Sequence, residues 1–333
     1  AFETNDTNDT NPLETPPVSA AGNIINRGTL TADGITVEGN NVSFKNYADV
    51  TATGAEGIKV RADGEVHVGF ANGEEATAVN NTEYKTVSEP ELANWDFKKT
   101  DNTTAVTPEK YMLVRNAYEL QNMKNNLLGN YMLANDIEFK NENGGYIIGQ
   151  FIPIGSLGGW TDYKEGMFKG KLDGLYHVIR DIYIDNTAIT QNSNRLTDIG
   201  IIGSNAGIVE NLGVINGNVN ITNSGASAVG GIVGANKPGG IIRNVYFSGS
   251  VKGGRTGTGG VAGWQNTSGL IENAYATGTV TSSSSNPDSR IYGVVGVIGG
   301  SIKNAYFSGK VMNDNKNEFY TNSDTGGGTF QNN

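Results

Sequence analysis

The chain has 333 residues, only 37% of them apolar and 47 of them glycine, with a net charge of −10. So thin a supply of large apolar side chains argues against a compact globular enzyme of this length and for many turns around a narrow core. The acidic balance, without any Lys/Arg-rich run, excludes nucleic acid and an anionic membrane as expected partners, and the lack of cysteine excludes disulfides and thiolate chemistry.

Residues 1–21 are rich in Asn, Thr, Asp and Pro and read as a polar, flexible lead without the features of a signal peptide. Residues 22–70 change to brief β-type runs such as Ile35-Thr36-Val37, Ile58-Lys59-Val60 and Val66-His67-Val68, punctuated by glycine. Asp33-Gly34 and Asp63-Gly64 are expected turns, because glycine accepts the positive φ of tight turns. Alternation in Val66-His67-Val68 places His67 outward. Residues 71–107 are polar and irregular, a loop or joint with Trp95 and Phe97 as isolated anchors.

Residues 108–198 open with Asn116-Ala117-Tyr118-Glu119, where Asn at the N-cap and Glu three residues on predict a helix over 117–127, with Leu120, Met123 and Leu127 on its apolar face. Strand, loop, strand, turn and strand then follow through Tyr131–Phe139, Phe151–Gly155 and Met167–Ile179.

Residues 199–312 carry the most informative pattern. Four stretches each carry a Gly-apolar-apolar-Gly step, beginning at Gly200, Gly231, Gly260 and Gly293. Each is followed by a charged residue and an Asn: Glu210-Asn211, Arg243-Asn244, Glu272-Asn273 and Lys303-Asn304. Ile242 to Gly249, Ile271 to Gly278 and Ile302 to Gly309 superpose residue by residue. A unit of this size cannot bury its own apolar face, so repetition at this period implies stacking. β-branched and aromatic residues in short runs between glycines favour strands. In-register stacking would place the four asparagines in a structural column, amide bonded to amide. It would also put Glu210, Arg243, Glu272 and Lys303 in a ladder of alternating sign. Residues 313–333 form a polar tail.

The expected fold is all-β: a right-handed parallel β-helix, or solenoid, with one short helix and an irregular insertion. About 290 residues in coils of ~20 to 30, at ~4.8 Å per rung, would make a rod roughly 50 to 65 Å long.

The order of these elements resembles the filamentous haemagglutinin-like adhesins of Gram-negative bacteria, including those of two-partner secretion systems. The four copies resemble the GLUG repeats found in such adhesins and in some bacterial immunoglobulin A peptidases. The stretch from Leu120 through Asn135-Asp136-Ile137, Pro153-Ile154-Gly155 and Asp173-Gly174-Leu175-Tyr176-His177 is similar to the segment that precedes those repeats. Asn26-Arg27-Gly28-Thr29-Leu30 resembles a haemagglutinin coil step. The resemblance implies a secreted or surface-exposed adhesive segment. The amino-terminal domain by which such adhesins engage an outer-membrane secretion partner has no counterpart in these residues. The chain is therefore expected to be an internal or carboxy-terminal portion.

No cofactor or metal is expected, and no catalytic residue. Only His67 and His177 exist, too few for a His-rich metal site, and the zinc-protease pattern His-Glu-x-x-His is absent. His177, after the Asp173-Gly174 turn, reads as a hydrogen-bonded structural residue. Carboxylate pairs deserving comparison with a glycosidase or lyase are Asp136 with Glu138, and Asp173 with Asp181, Asp185 or Glu165. Calcium at Asp136, Glu138 or the Asp324 loop lacks a loop signature. Sequons at Asn5, Asn8, Asn41, Asn80, Asn102, Asn220 and Asn266 follow from an Asn/Thr-rich composition. Trp160, Trp264 and Tyr292 are the expected sugar-contact candidates on loops. A non-catalytic adhesive shaft that binds host or neighbouring-cell glycan or protein is the favoured function. A self-assembling extracellular fibre subunit and a β-helical carbohydrate-active enzyme are the alternatives.

Overall fold

The structure, a computed structural model, describes residues 18–19, 24–79, 89–155, 166–185, 198–222, 228–253, 255–282, 289–313, 318–319 and 329–331. It is an all-β protein with one short α-helix and mostly parallel strands, and it divides into two compact units. The first comprises residues 1–74, 86–113 and 130–134, and the second 75–85, 114–129 and 135–333.

In the first unit, strands Ile24–Asn26, Val42–Phe44 and Val66–Phe70 pair in parallel, as do Leu30–Gly39, Val50–Ala62 and Trp95–Lys98. Between them lies a core of Ile35, Val42, Phe44, Val50, Ile58, Val60, Val66 and Val68. Trp95 and Phe97 are not isolated anchors. They sit in a strand aligned with Ile58–Arg61, and Trp95 meets Phe44 edge-on at 4.9 Å between ring centroids. Asp33-Gly34 does not turn, because it falls inside strand Leu30–Gly39 at a shift of register. The positive φ of this region belongs to Gly57 (65°). Asp63-Gly64 does bend the chain, between strands Val50–Ala62 and Val66–Phe70.

His67 also departs from expectation. It is buried, its ring centroid 4.8 Å from that of Tyr111, with Glu65 and Glu109 carboxylates 3.5 and 3.7 Å from Nε2. Alternation mispredicts it because strand Glu109–Val114 pairs alongside and Tyr111 covers the outer face.

In the second unit the helix spans Ala117–Asn122 and continues only as a 3-10 turn over Met123–Asn125, shorter than the predicted 117–127. Asn116 caps it, its side-chain oxygen accepting from the Glu119 amide at 3.0 Å. Glu119 does not close the reciprocal half of the box on Asn116. Its carboxylate, itself buried, instead accepts from the Arg115 amide and guanidinium and from the Ala76 amide. Gln121, Leu120 and Met123 are buried too, and Gln121 exchanges two hydrogen bonds with the backbone of Ile152.

The repeats follow. Long strands Ile208–Asn220, Ile241–Lys252, Leu270–Ser282 and Ser301–Asn313 pair in parallel, each to the next. Each Gly-apolar-apolar-Gly step joins two short strands that stack in two further four-stranded parallel sheets. One contains Asp198–Ile199, Ala228–Gly230, Gly257–Gly259 and Arg290–Tyr292, the other Ile202–Asn205, Val233–Asn236, Ala262–Gln265 and Val295–Ile298. Like residues therefore lie over like: Val209, Ile242, Ile271 and Ile302 form one buried column, and Val219, Val251, Val280 and Val311 another.

The first and last glycines of a step can have separate steric reasons. A Cβ on Gly231 or Gly293 would lie 2.3 or 2.1 Å from the ring of Phe247 or Phe307, which fills the core opposite. A Cβ on Gly234, Gly263 or Gly296 would strike the backbone of the preceding rung at 2.4, 2.3 and 2.3 Å. The motif thus trades side chains for close approach of backbones.

Candidate functional site

The long strands bend at their asparagines. Asn211, Asn244, Asn273 and Asn304 all have left-handed backbone, with φ of 52, 53, 50 and 51°. Asparagine tolerates this region better than other residues bearing a Cβ. Their amides form a chain: Asn304 donates to Asn273 at 2.9 Å, Asn273 to Asn244 at 2.9 Å, Asn244 to Asn211 at 3.0 Å and Asn211 to the Asp173 carboxylate at 3.0 Å. Immediately before the corner, Glu210, Arg243, Glu272 and Lys303 are in register, and Arg243 Nε donates to the buried Glu210 carboxylate at 2.5 Å.

Past the corner the strands alternate strictly. Val245, Ala274 and Ala305 point inward and Phe247, Ala276 and Phe307 line the core, while Tyr246, Tyr275 and Tyr306 stand outward between them in one column. The rings of Tyr246 and Tyr275 are stacked, 5.1 Å apart and 10° from parallel. Exposure reaches 41% at Tyr275 and 63% at Tyr306. Below Tyr246 the column holds Gly213, whose missing side chain makes room for the ring: a Cβ there would lie 2.4 Å from it. Burial, with Tyr275 beside it, pushes the Tyr246 phenol above its ordinary value. Ser248, Thr277 and Ser308 form a second outward column two residues on.

One rung beneath Gly213 lies Val178, with His177 just before it and Arg180 two residues after it. Asp136 gathers this rung: its carboxylate accepts from the Val178 amide at 3.1 Å, lies 3.1 Å from His177 Nδ1 and 3.3 Å from Arg180. Partial burial opposes its ionisation, yet the Val178 amide, His177 and Arg180 together hold the carboxyl below the usual range. Arg180 also reaches Glu138 at 3.2 Å.

The other carboxylates compared with a hydrolase pair are dispersed. Asp173 is buried and accepts from the Leu175 amide and Asn211. Asp181 pairs with Lys140 at 3.3 Å, and Asp185 accepts from the Tyr183 hydroxyl at 3.0 Å. Glu165 and Asp324 lie outside the described residues, as does Trp160. Trp264 and Tyr292 are half-buried on different short-strand sheets, Trp264 between Ala235 and Val297 and Tyr292 beside Gly259. The two described sugar-contact candidates thus lie on separate sheets. Among the described residues no cluster of His, Asp and Glu has the arrangement of a metal site, and no helix is long and apolar enough to cross a membrane.

Two columns escaped the sequence reading. The tyrosines were legible as the residue two after each of three asparagines. The other is interior: Asn205 donates to Asn236 at 2.8 Å, Asn236 to Gln265 at 2.8 Å, and all three are fully buried. Its signal is an amide two residues after the closing glycine of a step, in Gly203-Ser204-Asn205, Gly234-Ala235-Asn236 and Gly263-Trp264-Gln265.

Residues 225–252 and 254–281 each match the GLUG motif. These are the copies centred on Asn244 and Asn273. A solved structure of a Bacteroides ovatus protein, described as a candidate immunoglobulin A1 protease, is similar at 23% identity and a TM-score of 0.48. The similarity covers 61% of this chain and 59% of that one, so the chain spans less than two thirds of its length. No curated protein matches.

Proposed function

We propose that this chain is a non-catalytic segment of a secreted bacterial surface adhesin of the filamentous haemagglutinin-like type. In this reading it winds as a right-handed parallel β-helix and presents side chains for contact with glycans or proteins of another cell. The observation that carries the reading is the Asn211–Asn244–Asn273–Asn304 column, in which one residue of every repeat bonds to its equivalent in the next. Such a stack has every rung's backbone paired to its neighbours, so it stiffens with each repeat and projects an outward face at fixed spacing. The GLUG matches support an extracellular repeat segment. The non-catalytic reading is supported by the carboxylates: Asp136, Glu138, Asp173, Asp181 and Asp185 are all bound to partners within the fold. A glycosidase instead needs two acids facing one cleft.

The test is adhesion. Beads coated with the purified chain are expected to bind cultured epithelial or bacterial cells, or at least one member of a glycan and matrix-protein array, well above albumin-coated beads. Binding at the albumin level on all of these surfaces refutes the proposal.

A further inference from the structure

We propose that the outward tyrosine column and the hydroxyl column beside it form a binding face for an uncharged polysaccharide lying across successive rungs. The inference rests on the adhesive reading and gives that reading a site and a ligand class.

Several observations converge. Tyr246, Tyr275 and Tyr306 repeat at one rung spacing and grow more open along the column, the last two being among the most exposed large aromatic residues of the described chain. Tyr306, the most open of the three, offers an apolar ring face with a polar tip, which matches a sugar ring with its C–H patch and its hydroxyl rim, while Tyr246 and Tyr275, stacked on one another, present ring edges and hydroxyl tips. Ser248, Thr277 and Ser308 stand two residues along the same strands, each able to donate and accept, as sugar hydroxyls do.

Neither column carries a formal charge. Of the ions at the margins, Arg180 is matched by Asp136 and Glu138 at the foot of the face and Arg243 by Glu210 across the asparagine corner, while Lys310 stands exposed beyond Ser308 at the open end. A charged polymer would find no counter-charge in these two columns, whereas a neutral one loses nothing there.

The strands themselves narrow the choice of partner. Ile241–Lys252 and Leu270–Ser282 are hydrogen-bonded on both sides, so nothing can add to them as a further strand, and recognition at Tyr246 and Tyr275 must pass through side chains. The contact repeats rung by rung, which favours a polymer over a single sugar: each further unit bound is an intramolecular event. Stacking of Tyr246 on Tyr275 fixes both rings before the ligand arrives, so little rotamer freedom remains to be lost.

The experiment is native gel electrophoresis of the whole chain through gels containing soluble polysaccharides. The neutral probes are hydroxyethylcellulose, galactomannan and dextran, and the anionic ones polygalacturonate and hyaluronan. At least one neutral probe is expected to retard the chain, and the anionic probes to leave its mobility unchanged. The double variant Tyr275→Ala/Tyr306→Ala, altered only at exposed side chains, is expected to lose affinity at least tenfold, with far-UV circular dichroism and Tm showing that it folds. Tyr275→Phe/Tyr306→Phe should keep most of the binding, and Trp264→Ala all of it. The proposal is overturned if no neutral probe retards the chain, if only anionic probes do, or if the double alanine variant binds as tightly as the parent. Beads that still adhere to cells in that event would leave the adhesive function standing with its site elsewhere. Retardation abolished by the double variant, with beads that adhere to nothing, would keep the site and discard adhesion.

Discussion

Replacing Asn244 by alanine tests the corner column at its centre. The change removes two amide hydrogen bonds, the one Asn244 donates to Asn211 and the one it accepts from Asn273. A net ~1 kcal/mol each is typical for such bonds. It also asks a residue with a Cβ and no local polar group to hold a φ of 53°, which costs roughly 1 kcal/mol more. The expected loss is therefore about 3 kcal/mol. Asn244→Gly loses the bonds but not the backbone tolerance, so about 2 kcal/mol is expected. Asn304→Ala, at the top of the column, removes the bond donated to Asn273 and leaves the one below it intact, and should also cost about 2 kcal/mol. Urea unfolding reads these differences as shifts of midpoint at constant slope. Hydrogen exchange at residues 245–252 and 274–281 checks whether the loss is local to the adjoining rungs, as expected for nearest-neighbour stacking. Equal losses for Asn244→Ala and Asn244→Gly would refute the backbone part of the reasoning. An Asn244→Ala cost no larger than a surface substitution would refute the column itself.

Three further outcomes are expected. Asn236→Leu, at a fully buried site, strips partners from Asn205, Gln265 and the Gly240 carbonyl, and should lower stability by at least ~3 kcal/mol in urea unfolding. Gly213→Ala drives a methyl into the Tyr246 ring; the near-ultraviolet circular dichroism of the stacked tyrosines should weaken, with a loss of about 1 to 3 kcal/mol. Asp136 has a lowered pKa in the folded state, so the unfolded chain binds its proton first. Its contribution is complete above the unfolded value of about 4 and is lost as pH falls from there through the folded value. Urea midpoints measured at falling pH should therefore drop less steeply for Asp136→Asn than for the parent.

Some of the molecule was legible because its determinants are local and repeated. The asparagine spacing and the residue-by-residue likeness of the copies set the pairing of Ile241–Lys252 with Leu270–Ser282 and Ser301–Asn313, since a slip by one residue would turn every valine and isoleucine outward. Asn116 marked its helix start for the same kind of reason: an N-cap acts on an amide three residues away.

Other features depended on what the tertiary fold brings alongside. His67 alternates outward on its own strand, and only strand Glu109–Val114 pairing next to it brings the ring of Tyr111 over it and buries it. Glu119 looked like half of a capping box until Arg115 and the Ala76 amide competed successfully for its carboxylate. Trp264 and Tyr292 each adjoin a glycine of a step, yet the fold sets them half-buried on separate sheets. The sequence alone determined which residues recur and at what period, because register in a stacked sheet follows from the pattern of each strand. Which recurring residues face outward together and which stay bonded inside was decided by the neighbouring rungs, because burial and hydrogen-bond partners are supplied by chain some thirty residues away.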